Sequence, residues 1–174
     1  MTGASIAAFA TALLAPSARA VTGGGVLATA PSASALYTVT CYDDGNGAPA
    51  SLVAQVSDEG PAVAPFVSVQ VVKGLAATNS TDPVDADGAP GPLVALDGGA
   101  GDYAVFVDKT GAGEETFALT VECRTGAGGG GVATGTDVDG FAPPPAVPAL
   151  GAAAWLGAAA LLGSAGAARL RRRS

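Results

Sequence analysis

Between Leu36 and Cys123 apolar and polar side chains alternate in twos, the period of strands with one buried face. In the run from Leu36 to Cys41, residues Tyr37, Val39 and Cys41 share a face. From Phe66 to Val72 the shared set is Val67, Val69 and Val71, with Ser68 and Gln70 opposite. Asp102 to Val107 groups Tyr103, Val105 and Val107. Thr116 to Cys123 is the cleanest run: Phe117, Leu119, Val121 and Cys123 point inward, Thr120 and Glu122 outward. Leu52 to Val56 and Leu93 to Leu96 are weaker candidates. Clusters such as Asp43-Asp-Gly-Asn-Gly47 and Asp87-Gly-Ala-Pro-Gly91 punctuate turns, and no stretch here sustains a 3.6 period.

Six or seven short strands in about ninety residues predict an all-β domain over 35–125, a single antiparallel β-sandwich of Ig-like or jelly-roll-like type. Asp102–Val107 and Thr116–Cys123, joined through the acidic segment Asp108 to Glu115, are expected to form a hairpin. The pattern Gly101-Asp-Tyr103-Ala-Val105-Phe-Val107 followed by Phe117-Ala-Leu119-Thr-Val121 is similar to the closing hairpin of bacterial Ig-like and pre-peptidase C-terminal sandwich modules. Cys41 and Cys123 both fall on the apolar face of their runs, near the two ends of the domain, and in an exported chain they predict one disulfide. A thiol nucleophile is the rival reading, but it lacks any His partner.

The two ends predict export. Ile6 to Ala15 is an apolar run of signal-peptide length, followed by Ala18-Arg19-Ala20, whose small Ala18 and Ala20 suit signal peptidase. Residues 1–20 are therefore expected to be a removable leader, although Met1 to Ser5 has no cationic residue. Residues 21–34 are expected as a flexible segment, and the Gly/Pro-rich 126–146 as a linker. Ala149 to Ala168 carries no charge over twenty residues. As a helix at about 1.5 Å per residue it would span the roughly 30 Å hydrocarbon core. The cluster Arg169, Arg171, Arg172 and Arg173 would stay on the cytoplasmic side of the inner membrane.

The order of these parts adds a resemblance. Val147-Pro148-Ala149-Leu150, then Trp155, the apolar span and the Arg cluster form a terminal region 147–174. It resembles the PEP-CTERM class of bacterial sorting tails, and most of all its IPTL-CTERM variant, with Val147, Pro148 and Leu150 on the motif. Ala149 stands where that variant has Thr, and its Trp-Gly pair is loosened to Trp155-Leu156-Gly157. The resemblance implies an exosortase-type sorting peptidase as partner. A plain single-span anchor is the alternative.

Charge and composition narrow the functions. All fifteen Asp and Glu lie between Asp43 and Asp139, against Lys73, Lys109 and Arg124 alone, a net −12 for that stretch. Such a surface repels phosphate backbones and speaks against nucleic acid. The chain has no His, which removes the commonest general base and metal ligand. Carboxylate-only catalysis is chemically open, and Asp102 or Glu114/Glu115 could be nominated for it, but no spacing selects a pair, so no enzyme is expected. Asp82, Asp85 and Asp87 are the nearest approach to a calcium loop, without the full spacing, and solvated turn residues are the competing reading; no other cofactor is expected. The expectation is an exported, non-catalytic surface or extracellular-matrix protein, its mature domain at the cell surface, in the periplasm or outside the cell. A secreted carbohydrate- or calcium-dependent binding module is the alternative, with a surface polysaccharide as partner and Tyr42 as its best exposed aromatic.

Overall fold

The computed structural model describes residues 20–140, and apart from one short 3-10 turn, Ala127–Gly129, every regular element among them is a strand. In chain order these are β1 (Val21–Leu27), β2 (Ala35–Tyr42), β3 (Ser51–Gly60), β4 (Val67–Lys73), β5 (Ala76–Thr81), β6 (Val94–Asp97), β7 (Gly101–Lys109), β8 (Glu115–Arg124) and β9 (Ala133–Asp139). All pairings are antiparallel, in the order β5-β4-β7-β2-β9-β8-β3-β6, with β1 also on β8. The all-β, antiparallel expectation therefore holds. β3 covers one edge of β8. The other edge is shared: β1 takes residues 115–121, and β9 takes Cys123 and Arg124 before crossing to pair with β2. Through β9 the two halves form one curling, nearly barrel-like sheet around a single core.

The alternation identified that core. Every side chain assigned inward on the four clean runs is buried, the most open being Tyr37 at 7%. Burying a Val or Leu stabilises by roughly 1.5–3 kcal/mol, so a Val-rich interior of this kind holds a sheet without large aromatics.

Three expectations require correction. Residues 21–34 are not simply flexible, because Val21–Leu27 is a strand in register with Thr116–Val121 and Glu115 of β8. Its glycines hid it, since Gly disfavours strands and breaks the alternation. They also let it lie close: a Cβ on Gly25 would sit 3.1 Å from the Phe117 ring. Residues 126–146 are not wholly linker either, because Ala133–Asp139 forms β9, with Val138 as its only large apolar side chain. The domain thus extends beyond 35–125 at both ends. Finally, β7 and β8 do not form a hairpin: β7 pairs with β2 and β4, β8 with β1, β3 and β9. Period-two alternation fixes which face is buried and leaves the neighbour open.

Ala18, the leader core and the whole of 147–174, with Val147, Pro148, Leu150, Trp155 and the four arginines, lie outside the described residues, as do the expected signal and membrane helices. Among the described residues no helix is long and apolar enough to cross a membrane.

Candidate functional site

One end of the core is covalently closed. Cys41 on β2 and Cys123 on β8 form a disulfide with Cα atoms 5.6 Å apart, and both residues are at most 1% exposed. β9 reinforces this end through Thr134 and Thr136. The Thr134 hydroxyl donates to the carbonyls of Tyr42 and Gly47, and the Cys123 amide donates to Thr136 Oγ1 at 2.9 Å. Nearby, the Tyr103 hydroxyl donates to the Gly99 carbonyl, and Lys73 Nζ lies 4.0 Å from the Tyr103 ring centre.

The opposite end of the core is charged. Asp58 stands opposite Phe117 across β3 and β8, so it faces inward with that ring. Glu115 is two residues before Phe117 on the same face, and Lys109 stands opposite the buried Val67. Asp58 is 0% exposed, Glu115 1% and Asp82 2%. A register shift between Asp58 and Gly60 ends the β3 ladder here and turns the chain away.

Backbone amides hold two of these carboxylates. Asp58 accepts from Val67 N at 3.0 Å and from Gly60 N at 3.3 Å. Asp82 accepts from Asp58 N at 2.9 Å and from Val84 N at 3.3 Å. The Lys109 ammonium donates to the carbonyls of Ala28 and Gly113. By contrast, Glu115 Oε2 and Asp85 Oδ1 are buried with no hydrogen-bond partner. Burial pushes the Asp58 carboxyl up from 3.8 to about 6, against the two amide bonds and with help from Asp85 and Asp82. Burial also pushes Glu115 up from 4.5 to about 7, with Asp58 and Asp85 adding and Lys109 opposing.

Asp58 was not singled out by sequence, and Glu115 was named only among carboxylates that no spacing selected, yet a signal existed for both. Both continue the inward phase of their strands, Asp58 after Leu52, Ala54 and Val56, Glu115 before Phe117. A charged residue in phase with a buried face must find a partner, and that is the mark of a polar site inside a core.

The residues the sequence did nominate are dispersed. Of the expected calcium trio, Asp82 is buried and bonded to backbone, Asp85 reaches the charged cluster, and exposed Asp87 accepts from Ala89 N in its own turn. Asp43 likewise accepts from Gly45 N and Gly47 N. No group of three or more His, Cys, Asp or Glu among the described residues is arranged to hold a metal ion. Tyr42 is 47% exposed, as expected, and lies over the crossover strand at Gly135. Ala20 is exposed immediately before β1. The outer face of the sheet carries two open grooves, one of about 380 Å³ at Thr38, Lys73 and Asp102 and one of about 200 Å³ at Ser68, Gln70, Asn79 and Asp108.

Fold and site thus define an antiparallel all-β domain with a disulfide at one end of its core and a charged cluster at the other. The chain matches no protein-family model, no curated protein and no solved structure.

Proposed function

We propose that this chain is an exported, non-catalytic surface or extracellular-matrix protein whose domain is displayed outside the inner membrane. The observation that carries this reading is the Cys41–Cys123 disulfide, buried in the core. Such bonds form and persist in oxidising compartments and are rare where thiols are kept reduced. Residues 1–20 then act as the leader, cut after Ala20. That cut leaves β1 whole, because its first residue is Val21. Residues 147–174 act as the sorting tail, with 149–168 in the membrane and the arginines on its cytoplasmic side.

In finer detail the domain is an Ig-like two-layer sandwich with a continuous crossover through β9. Support comes from the position of the disulfide. It joins β2, flanked by β7 and β9, to β8, flanked by β3 on one edge and by β1 and β9 on the other. Immunoglobulin domains place their inter-sheet disulfide on two such central strands. The Trp that packs on that bond in antibody domains has no counterpart, since the chain's one Trp is Trp155 in the tail.

Fractionation of the producing cell tests the reading. The protein is expected in the envelope or the medium, with neither thiol open to alkylation before reduction. Recovery from the cytoplasm with both thiols alkylated would overturn it.

A further inference from the structure

The loop between β2 and β3 carries a reactive pair. Asn46 is followed by Gly47, whereas the chain's other asparagine, Asn79, is followed by Ser80 inside the β4–β5 ladder. Asn46 is exposed, and its carboxamide has no hydrogen-bond partner among the described residues. Gly47 has a φ of +118°, a conformation that side chains disfavour, and a Cβ there would meet Thr125 Cγ2 at 3.3 Å. The turn therefore selects glycine. The missing Cβ also removes the bulk that would shield the Gly47 nitrogen from the preceding side chain. Two tethers hold this residue. Its amide donates to Asp43 Oδ1 at 3.1 Å, and its carbonyl accepts from Thr134 Oγ1 at 2.8 Å. The same Asp43 oxygen accepts from Gly45 N, and Asp44 Oδ1 accepts from Asn46 N.

We propose that Asn46 is a site of spontaneous modification, converting to aspartate and isoaspartate through a cyclic imide at a pace set by Asp43. The Gly47 nitrogen attacks Asn46 Cγ and a new N–C bond forms. The carboxamide nitrogen leaves as ammonia, carrying the Gly47 amide proton with it. Water then opens the imide. Addition at the side-chain carbonyl gives aspartate, and addition at the main-chain carbonyl gives isoaspartate, with an extra methylene in the backbone. Water is consumed and ammonia released, so no oxidant or cofactor is needed. A hydrogen bond to a carboxylate is stronger than one between neutral groups, so the Gly47–Asp43 bond holds back the attacking nitrogen. The bond lies at the surface, where water competes for the same groups, and it slows the reaction without preventing it. Both products set a carboxylate beside Asp43 and Asp44. Isoaspartate also shifts the Gly47 carbonyl away from Thr134, the buried residue that ties this loop to β9. Conversion therefore loosens the crossover at the disulfide end. The proposal is independent of the export reading, since the same loop would react in any compartment.

The test uses the full chain, its disulfide intact, incubated at body temperature and mildly alkaline pH. Peptide mass spectrometry follows the exchange of amide for carboxyl, and enzymatic methylation of isoaspartate tells the two products apart. The same chain unfolded in urea gives the rate without tethers. Asn46 is expected to convert in the folded chain, more slowly than in the unfolded one, while folded Asn79 stays intact. Asp43→Ala is expected to speed conversion several-fold, and Asn46→Ser to abolish it. Converted protein should melt about 4 °C below fresh protein, the effect of losing one hydrogen bond, whereas Asn46→Ser should keep its midpoint through the same incubation. An Asn46 that stays intact in the folded chain while the unfolded chain converts would overturn the proposal. An Asp43→Ala rate equal to the parent's would overturn the part given to Asp43.

Discussion

Cys41 and Cys123 are bonded to each other, yet their strands are not paired with each other. β9 bridges them instead, with Thr136 opposite Cys41 and Thr134 opposite Cys123. The disulfide therefore lies beneath the point where one strand passes between the two halves of the sheet, and covalent and hydrogen-bonded closures back each other there.

Removing the bond should weaken the domain without erasing its topology, because β9 still pairs with both strands. The bond closes a separation of 82 residues. In the chain-entropy account that constrains the unfolded state by about 4 kcal/mol, with the share realised set by native strain. The Cys41→Ala/Cys123→Ala double variant is expected to lose up to that amount in urea unfolding while keeping the far-ultraviolet spectrum of a β protein. An unchanged midpoint would show that the crossover strand alone closes the fold.

The crossover itself depends on Gly135. This residue is buried, and a Cβ there would lie 2.5 Å from two Tyr42 ring carbons and 2.7 Å from the Tyr42 carbonyl oxygen. The ring can rotate away but the carbonyl belongs to β2. Gly135→Ala is therefore expected to cost about 2 kcal/mol, and Tyr42→Ala in the same chain to restore only part of it. Chemical denaturation of the two variants measures both quantities.

At the charged end, two conservative amide substitutions should act in opposite directions in divalent-free buffer. Asp58 accepts from two backbone amides through separate oxygens. Asn in its place offers one acceptor and turns a donor toward the other amide, so Asp58→Asn should destabilise by about 1–3 kcal/mol. Glu115 Oε2 has no partner, and the carboxyl is hydrogen-bonded to Asp58; a Gln amide can still donate toward Asp58, so Glu115→Gln removes a buried charge and should be neutral or stabilising. Two equal losses would contradict this division of roles.

Stability without divalent ions should fall as pH rises. The folded pKa values of Asp58 and Glu115 are raised, to about 6 and about 7, above the unfolded values of 3.8 and 4.5. A raised carboxyl contributes stability that is present below the unfolded pKa and lost as pH climbs through the folded one. Between about pH 4 and pH 7 the folded chain binds more protons than the unfolded chain, so stability falls across that window. Urea midpoints measured from pH 4 to pH 8 should decline, and Glu115→Gln should flatten the decline. A midpoint that rises over the same range would contradict the placement of these groups.

What was legible beforehand follows from where the physics is local. Phe117, Leu119, Val121 and Cys123 announced their buried face because alternation is a property of the strand itself. The neighbour of β8 is decided by the whole chain, which is why β7 and β8 read as a hairpin and are not one. β1 and β9 were hidden because Gly23, Gly24, Gly25 and Gly135 interrupt the alternation, and at Gly25 and Gly135 it is close approach that a side chain would disturb. The disulfide was legible in two cysteines on inward phases. The charged cluster was legible only in part: Asp82 and Asp85 were named together with Asp87, whereas Asp58 was missed and Glu115 was assigned to the acidic segment before β8. Glu115 and Asp58 belong to the strands, and only their phase shows it.

The most direct test of the account is intact mass under reducing and non-reducing conditions, on protein taken separately from membranes and from the medium. The account predicts a species that begins at Val21, ends before the apolar span, and is two hydrogens lighter before reduction than after. A membrane-bound species that still carries Arg173 would make this a plain anchored protein without a processed tail. A species that begins at Met1 with two free thiols would contradict export itself.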